Sequence, residues 1–290
     1  MKMSELSALI TATTQFNRYT PVPVFILGFI GNIFNLLVFT SRALFKNPCT
    51  IYLLSATCMN ISVLFFGLLI RSLMDGFNID VIGNNLILCR LRYLILHPSY
   101  ALSSWFLVLA SIDRFCISSR NVRLRNFSKP LTARRTVVVT SCLCFLLYIH
   151  ILGLFEIQQL RSGPYCYARV GSYRIFYDFL FFSSFSFLPP ILMMIIGLAT
   201  VRNIRLARVR VVVTNATAGQ LNRKDRQLIL MLLVQLIATT VCTLPHAILK
   251  LYSTFTVNDI KTPYRSAIEN LMTQITRQLI YIDASMSFYM

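Results

Sequence analysis

Six stretches of this chain run for 20 to 24 residues without a charged side chain, and that pattern restricts the possible folds more than any other feature. They are residues 19–41, 47–70, 93–112, 136–155, 179–201 and 227–249. Twenty residues of α-helix rise about 30 Å, the thickness of a bilayer's hydrocarbon core. Inside that core every backbone N–H and C=O must find a partner within the protein, and a helix supplies all of them locally. A soluble domain carries about 25% charged residues. This chain has 13%, with 56% hydrophobic residues. The reading is an all-α membrane protein. Residues 264–290 are long enough for a seventh span, but they hold Glu269, Arg277 and Asp283, so hydropathy alone gives six.

The net charge of +18 invites a nucleic-acid reading, and its distribution argues against one. With Asp113-Arg114 at the boundary set aside, the loops after the first, third and fifth windows hold fifteen basic residues and one acid, Asp225. The opposite side holds eleven bases and seven acids. The positive-inside rule places the first set in the cytoplasm and the N-terminus outside. The charge then serves orientation and contact with anionic lipid and an acidic protein partner. Residues 1–19 lack the apolar core of a signal peptide, so the first span is expected to act as an uncleaved signal. The expected organisation is an extracellular N-terminus over 1–21 and one membrane domain over 22–290. Its spans lie near 20–41, 48–72, 87–118, 135–157, 175–203, 225–251 and 264–290.

The third span begins near Cys89 and ends in Asp113-Arg114-Phe115, with Arg114 twenty-five residues after the cysteine. Gly31-Asn32 lies in the first span, Cys166 in an outer loop, Pro190 in the fifth span, Pro245 in the sixth and Tyr289 in the last. In this order and at this spacing the chain resembles the rhodopsin-like G-protein-coupled receptors, in a divergent, peptide-receptor-like form. The resemblance implies a seven-transmembrane helix bundle and supplies the seventh span. Cys89 and Cys166 are the two cysteines on the oxidising side, and the resemblance implies that they pair.

The same resemblance assigns roles. Asp113, Arg114 and Phe115 stand where the family has Asp-Arg-Tyr, the switch that meets the G protein. Asp225 lies twenty residues before Pro245, the offset of the family's lock carboxylate, and is expected to hold Arg114 at rest. A lone acid interrupting a basic run is the plainer alternative. Tyr289 ends a degraded Asn-Pro-x-x-Tyr motif that reads Ser285-Met286-Ser287-Phe288-Tyr289. Asn32, Asn60, Ser103, Pro245 and Ser285 are the expected polar core of the bundle. Asn60 stands where the family has a sodium-binding aspartate, and an amide brings no charge, so sodium binding is expected to be weak or absent. Thr243 replaces the span 6 tryptophan, and Gly197-Leu198 stands in place of the span 5 tyrosine.

His97, Tyr100, Ser104, Leu107 and Arg114 share one helical face. The outer part of this face, with Arg71, Gln274 and Arg277, is the candidate ligand site. His97 could equally be a satisfied interior histidine, and Arg71 an interface anchor that snorkels to water. Leu96 stands at the amine-binding aspartate of aminergic receptors, which disfavours a cationic amine. A short extracellular peptide, such as a neuropeptide, fits a basic, hydrogen-bonding pocket best. The expected partners are that ligand, a heterotrimeric G protein and the lipid bilayer at the plasma membrane.

No nucleophile–base motif, phosphate loop or metal-ligand spacing is legible, so neither an enzyme nor a cofactor or metal is expected. Residues 262–290 contain no lysine to hold retinal. The alternatives are a receptor-like protein that no longer signals and, less well supported, a transporter, which would show repeats or midplane charges. The chain stops at Met290 without the family's short inner helix, which suggests a longer natural chain.

Overall fold

Asn47 and Pro48 illustrate how the polar punctuation sets the helices. Proline has no N–H to lose at a first helical position, and the Asn47 carboxamide accepts the Cys49 N–H at 3.1 Å. The Pro130 and Pro263 helices begin in the same way, the latter capped by Thr262. Asn85 caps the third span through the N–H groups of Ile87 and Leu88.

The computed structural model describes the backbone of residues 2–42, 44–79, 85–160, 163–211, 218–257 and 259–287. Side chains are described for 4–42, 44–79, 85–158, 166–204, 230–257 and 259–287. The elements are α1 (Lys2–Tyr19), α2 (Pro21–Phe39) and α3 (Pro48–Val63), a π-helical turn (Leu64–Leu69), then α4 (Ile70–Phe77) and α5 (Leu86–Ser118). They continue with α6 (Val122–Phe127), α7 (Pro130–Tyr148) and α8 (Ile151–Leu154), and a hairpin of β1 (Phe155–Leu160) and β2 (Gly163–Ala168). The chain ends with α9 (Ser172–Phe181), a second π-helical turn (Phe182–Phe187), α10 (Leu188–Val211), α11 (Ala218–Phe255) and α12 (Pro263–Met286).

Six helical segments among the described residues are long and apolar enough to cross a bilayer: Ser4–Phe39, Pro48–Phe77, Leu86–Ser118, Pro130–Leu154, Ser172–Ile204 and Leu230–Phe255. The seventh, α12, packs against α2 and α11 and closes a seven-helix bundle. Its charges explain its poor hydropathy. Glu269 pairs with Lys261 at 2.6 Å and Arg265 at 3.0 Å near the outer boundary, while Asp283 turns inward to Thr239 at 3.0 Å.

Helix α5 is the axis. It packs against α3, α7 and α10, and its Leu102, Phe106 and Val108 are buried at the centre of the core. Long apolar side chains on α2, α7 and α10 face outward, as lipid-facing surfaces require. Gly28 lets α2 approach α12: a Cβ there would come within 2.7 Å of the Ser285 Cβ. The polar N-terminal stretch also forms a helix, α1, which lies against α4 and α12 at the outer end. Gly76 permits that approach, since a Cβ would stand 2.7 Å from the Asn17 carbonyl oxygen.

The two π-helical turns have physical causes. Leu188 N–H bonds to Ser183 O, one residue wider than in an α-helix. In that register the next carbonyl, Ser184, would pair with residue 189, a proline without N–H. Trp105 Nε1 donates to Ser184 O at 3.0 Å instead. In the first turn the Phe66 carbonyl accepts Arg92 Nε at 2.8 Å.

Candidate functional site

Three polar constellations lie along α5. At the inner end Asp113 and Arg114 are buried, and Phe115 is half-buried. Arg114 Nη2 donates to Asp113 Oδ2 at 2.8 Å and to Asn47 Oδ1 at 2.9 Å. Ser128 Oγ donates to Asp113 Oδ1 at 2.5 Å, so the loop carrying α6 is tied to the same carboxylate. The crevice beside Arg114, walled by Met193, Gly197, Thr200, Leu232 and Leu233, measures about 10 Å³, the space of about one water. The side chain of Asp225, on α11, lies outside the described residues, as does Tyr289.

Midway, polar side chains join the helices. Asn32 Nδ2 donates to Ala284 O at 3.1 Å and to Gly28 O at 2.8 Å, and Ser287 Oγ donates to Asn32 Oδ1. These bonds couple α2 to α12 where Ser285 Oγ donates to Val24 O at 3.2 Å. Ser103 Oγ donates to Asn60 Oδ1 at 2.5 Å, coupling α5 to α3. Thr243 is fully buried on α11, two residues before Pro245.

The outer constellation surrounds a cavity of about 120 Å³ between α4, α5, α9, α11 and α12. Of the residues expected at the ligand site, Arg71, His97, Tyr100 and Arg277 line it. Gln274 does not. Its Nε2 donates to Asp75 at 3.2 Å and its Oε1 accepts Arg277 Nη1 at 2.9 Å, beside a separate crevice of about 10 Å³ that Asn17 of α1 also lines. Asp75 forms an ion pair with Arg71, Oδ2 to Nε at 2.6 Å, and stands 3.9 Å from Arg277.

Four further basic side chains stand in the wall: Arg92 on α5, Arg174 on α9, and His246 and Lys250 on α11. Sequence reasoning counted the three cations only as extracellular charge. One signal was legible: Gln235, Thr239, Thr243, His246 and Lys250 follow at helical spacing, a polar stripe along an otherwise apolar span. Lys250 Nζ lies 3.4 Å from Asp178 Oδ1, with the Phe181 ring centroid at 4.0 Å and the Tyr177 centroid at 4.6 Å. Asp178 is buried and also accepts Tyr167 Oη at 2.5 Å and the Thr254 hydroxyl. The hairpin covers this end, fastened to α5 by the Cys89–Cys166 disulfide and by Arg90 Nε, which donates to Phe155 O at 3.0 Å. Among the described residues no group of His, Cys, Asp or Glu could hold a metal.

The sequence pattern of the family described as 7 transmembrane receptor (rhodopsin family) matches residues 31–286. No curated protein matches the chain.

Proposed function

Because the chain belongs to the rhodopsin family of seven-transmembrane receptors, we propose that it binds an extracellular peptide ligand in the outer cavity and activates a heterotrimeric G protein at its inner face. One observation carries this reading. A single unbroken helix, α5, presents His97 and Tyr100 to the cavity and Arg114 to the inner end. Seventeen residues of helix separate His97 from Arg114, about 26 Å along the axis. A ligand that favours a shifted position of α5 against α11 biases the inner end by its differential affinity for the two states. Helix opening frees Arg114 and widens the crevice beside it. The plasma membrane is the site where such a receptor meets an outside ligand.

A second reading, a receptor-like protein that no longer signals, draws on Thr243 and on Gly197, which sits at the edge of the inner crevice without a side chain to bridge it. A peptide-library screen on cells expressing the chain, read as a second-messenger response, separates the two. The proposal expects a saturable response that Arg114→Ala abolishes. Surface-expressed chain that binds a peptide and gives no response supports the second reading.

A further inference from the structure

Among the described residues the outer cavity carries more positive charge than its surroundings balance. Five cationic side chains line it: Arg71, Arg92, Arg174, Lys250 and Arg277. Two carboxylates among the described residues pair with them, Asp75 and Asp178, and neither lines the cavity. Both are already engaged. Asp75 takes Arg71, Gln274 and Arg277; Asp178 takes Tyr167, Thr254, Lys250 and, at 3.9 Å, Arg174. Arg92 is 6% exposed, and its hydrogen bonds go to neutral acceptors, the carbonyls of Phe66 and Gly67 and the Met74 sulfur. Buried charge without a counter-charge is unfavourable, and an anion entering here would relieve it.

His97 provides an independent sign. It is 5% exposed, lines the cavity, and neither ring nitrogen has a hydrogen-bond partner among the described residues. Its ring is held by stacking on Tyr93 at 5.3 Å and by the edges of Tyr177 and Phe181 at 5.1 and 5.4 Å. A fixed ring with unused nitrogens facing a polar cavity is a hydrogen-bonding position kept for something absent from the protein itself. Size narrows the guest. Ligand pockets are typically about 300–1,000 Å³. This one, at about 120 Å³, takes one small group at the end of a ligand rather than the whole of it.

We propose that the cavity receives a carboxylate, presented by the ligand's end and held by Arg92 and Lys250 with His97 as a hydrogen-bonding partner. The proposal rests on the receptor reading only for the place of the site, and sharpens it by naming the ligand's recognised group. The carboxylate has two sources, the C-terminus or acidic side chain of a peptide, or a small free acid. Guanidinium and ammonium donors around an aromatic wall suit such a group, and repel an amine.

The test uses the full chain in lipid nanodiscs and thermal stabilisation as the readout. The probes are pooled peptides in matched C-terminal acid and C-terminal amide forms, N-acetylphenylalanine as a free acid, and phenethylamine. The expected result is a saturable rise in Tm with acid-form probes, weaker by about thirtyfold or more in apparent affinity for the amide forms, and absent with phenethylamine. Arg92→Gln and Lys250→Gln each shift the rise to a probe concentration higher by about thirtyfold or more, while Arg92→Lys and Lys250→Arg retain more of the affinity, and the ligand-free Tm of each variant reports its folding. Stabilisation by the peptide acids alone assigns the peptide source; stabilisation by N-acetylphenylalanine as well assigns a site for free acids. Equal stabilisation by acid and amide, preference for phenethylamine, or no stabilisation by any acid overturns the proposal. Acid binding without G-protein activation leaves this site standing and overturns the signalling reading; activation by an amide ligand does the reverse.

Discussion

Arg114 and Asn47 stand 67 residues apart in sequence and meet at the inner end of the bundle, the guanidinium Nη2 donating to the carboxamide Oδ1 at 2.9 Å. The same oxygen caps α3 through the Cys49 N–H. One side chain therefore both starts the second span and helps hold Arg114 of the third.

Asn47→Ala removes the cap and one of the Arg114 contacts together. The cap loss costs about 1 kcal/mol of stability. Loss of the contact lowers the cost of releasing Arg114, so basal nucleotide exchange on added G protein rises. Asn47→Asp keeps a cap and strengthens the hold on the guanidinium, and basal exchange falls below that of the unmodified chain. Equal basal rates in all three would remove Asn47 from the switch.

The Cys89–Cys166 bridge closes a separation of 77 residues. By loop entropy it contributes on the order of 4 kcal/mol. Cys89→Ser with Cys166→Ser should lower the Tm of the purified receptor and reduce surface expression. Because the hairpin covers the outer cavity, ligand affinity drops in the variant even at temperatures where the bundle stays folded. A variant with unchanged affinity and Tm would show that the hairpin is held by other contacts.

Gly28 and Ser285 hold α2 against α12. A methyl at position 28 would stand 2.7 Å from the Ser285 Cβ, so one helix must move. Gly28→Ala is expected to destabilise by about 1–3 kcal/mol, the range for overpacked cores. Ser285→Gly in the Gly28→Ala background removes the obstructing atom and recovers part of the loss. Thermal unfolding of the four variants of this cycle measures the coupling, and additive effects would contradict the contact.

Trp105 supplies the donor that Pro189 lacks. Trp105→Phe keeps the aromatic packing and leaves the Ser184 carbonyl without its indole partner. The expected loss is about 1–3 kcal/mol, the cost of an unmet buried acceptor. A Tm equal to that of the unmodified chain would mean that the widened turn satisfies this carbonyl by another route.

Much of the fold was legible because a helix of about 20 uncharged residues crosses the hydrocarbon core with every backbone bond made locally, so the uncharged windows mark the spans. The seventh escaped hydropathy for a visible reason. Arg277 and Asp283 on α12 turn toward Asp75 and Thr239, and Glu269 pairs with Lys261 near the outer boundary, so each of these charges in a helix that looks polar in sequence has a partner. The N-terminal stretch gave no hint of a helix lying on α4 and α12, since its polarity is that of a surface segment. The π-helical turns were illegible too, because a widened register depends on partners such as Trp105 and Arg92 that lie on another helix.

At the site, the face of α5 bearing His97, Tyr100 and Arg114 could be read from spacing alone. Arg92, Arg174 and Lys250 could not be separated from ordinary boundary charge, because a lysine near a span's outer end reads alike whether it snorkels to water or turns inward. Lys250 turns inward since Asp178, Tyr177 and Phe181 form a place for it on α9. That arrangement is set by the fold rather than by the local sequence.

The central claim is that occupation of the outer cavity is felt at Arg114. The most direct measurement is nucleotide exchange on purified heterotrimeric G protein by the chain in nanodiscs, with and without a ligand found to stabilise it. The account predicts ligand-driven exchange in the unmodified chain, a need for higher ligand concentration in Arg92→Gln, and none at any concentration in Arg114→Ala despite retained ligand binding. Ligand-driven exchange that survives Arg114→Ala undiminished, or a chain that binds ligand and never accelerates exchange, would contradict it.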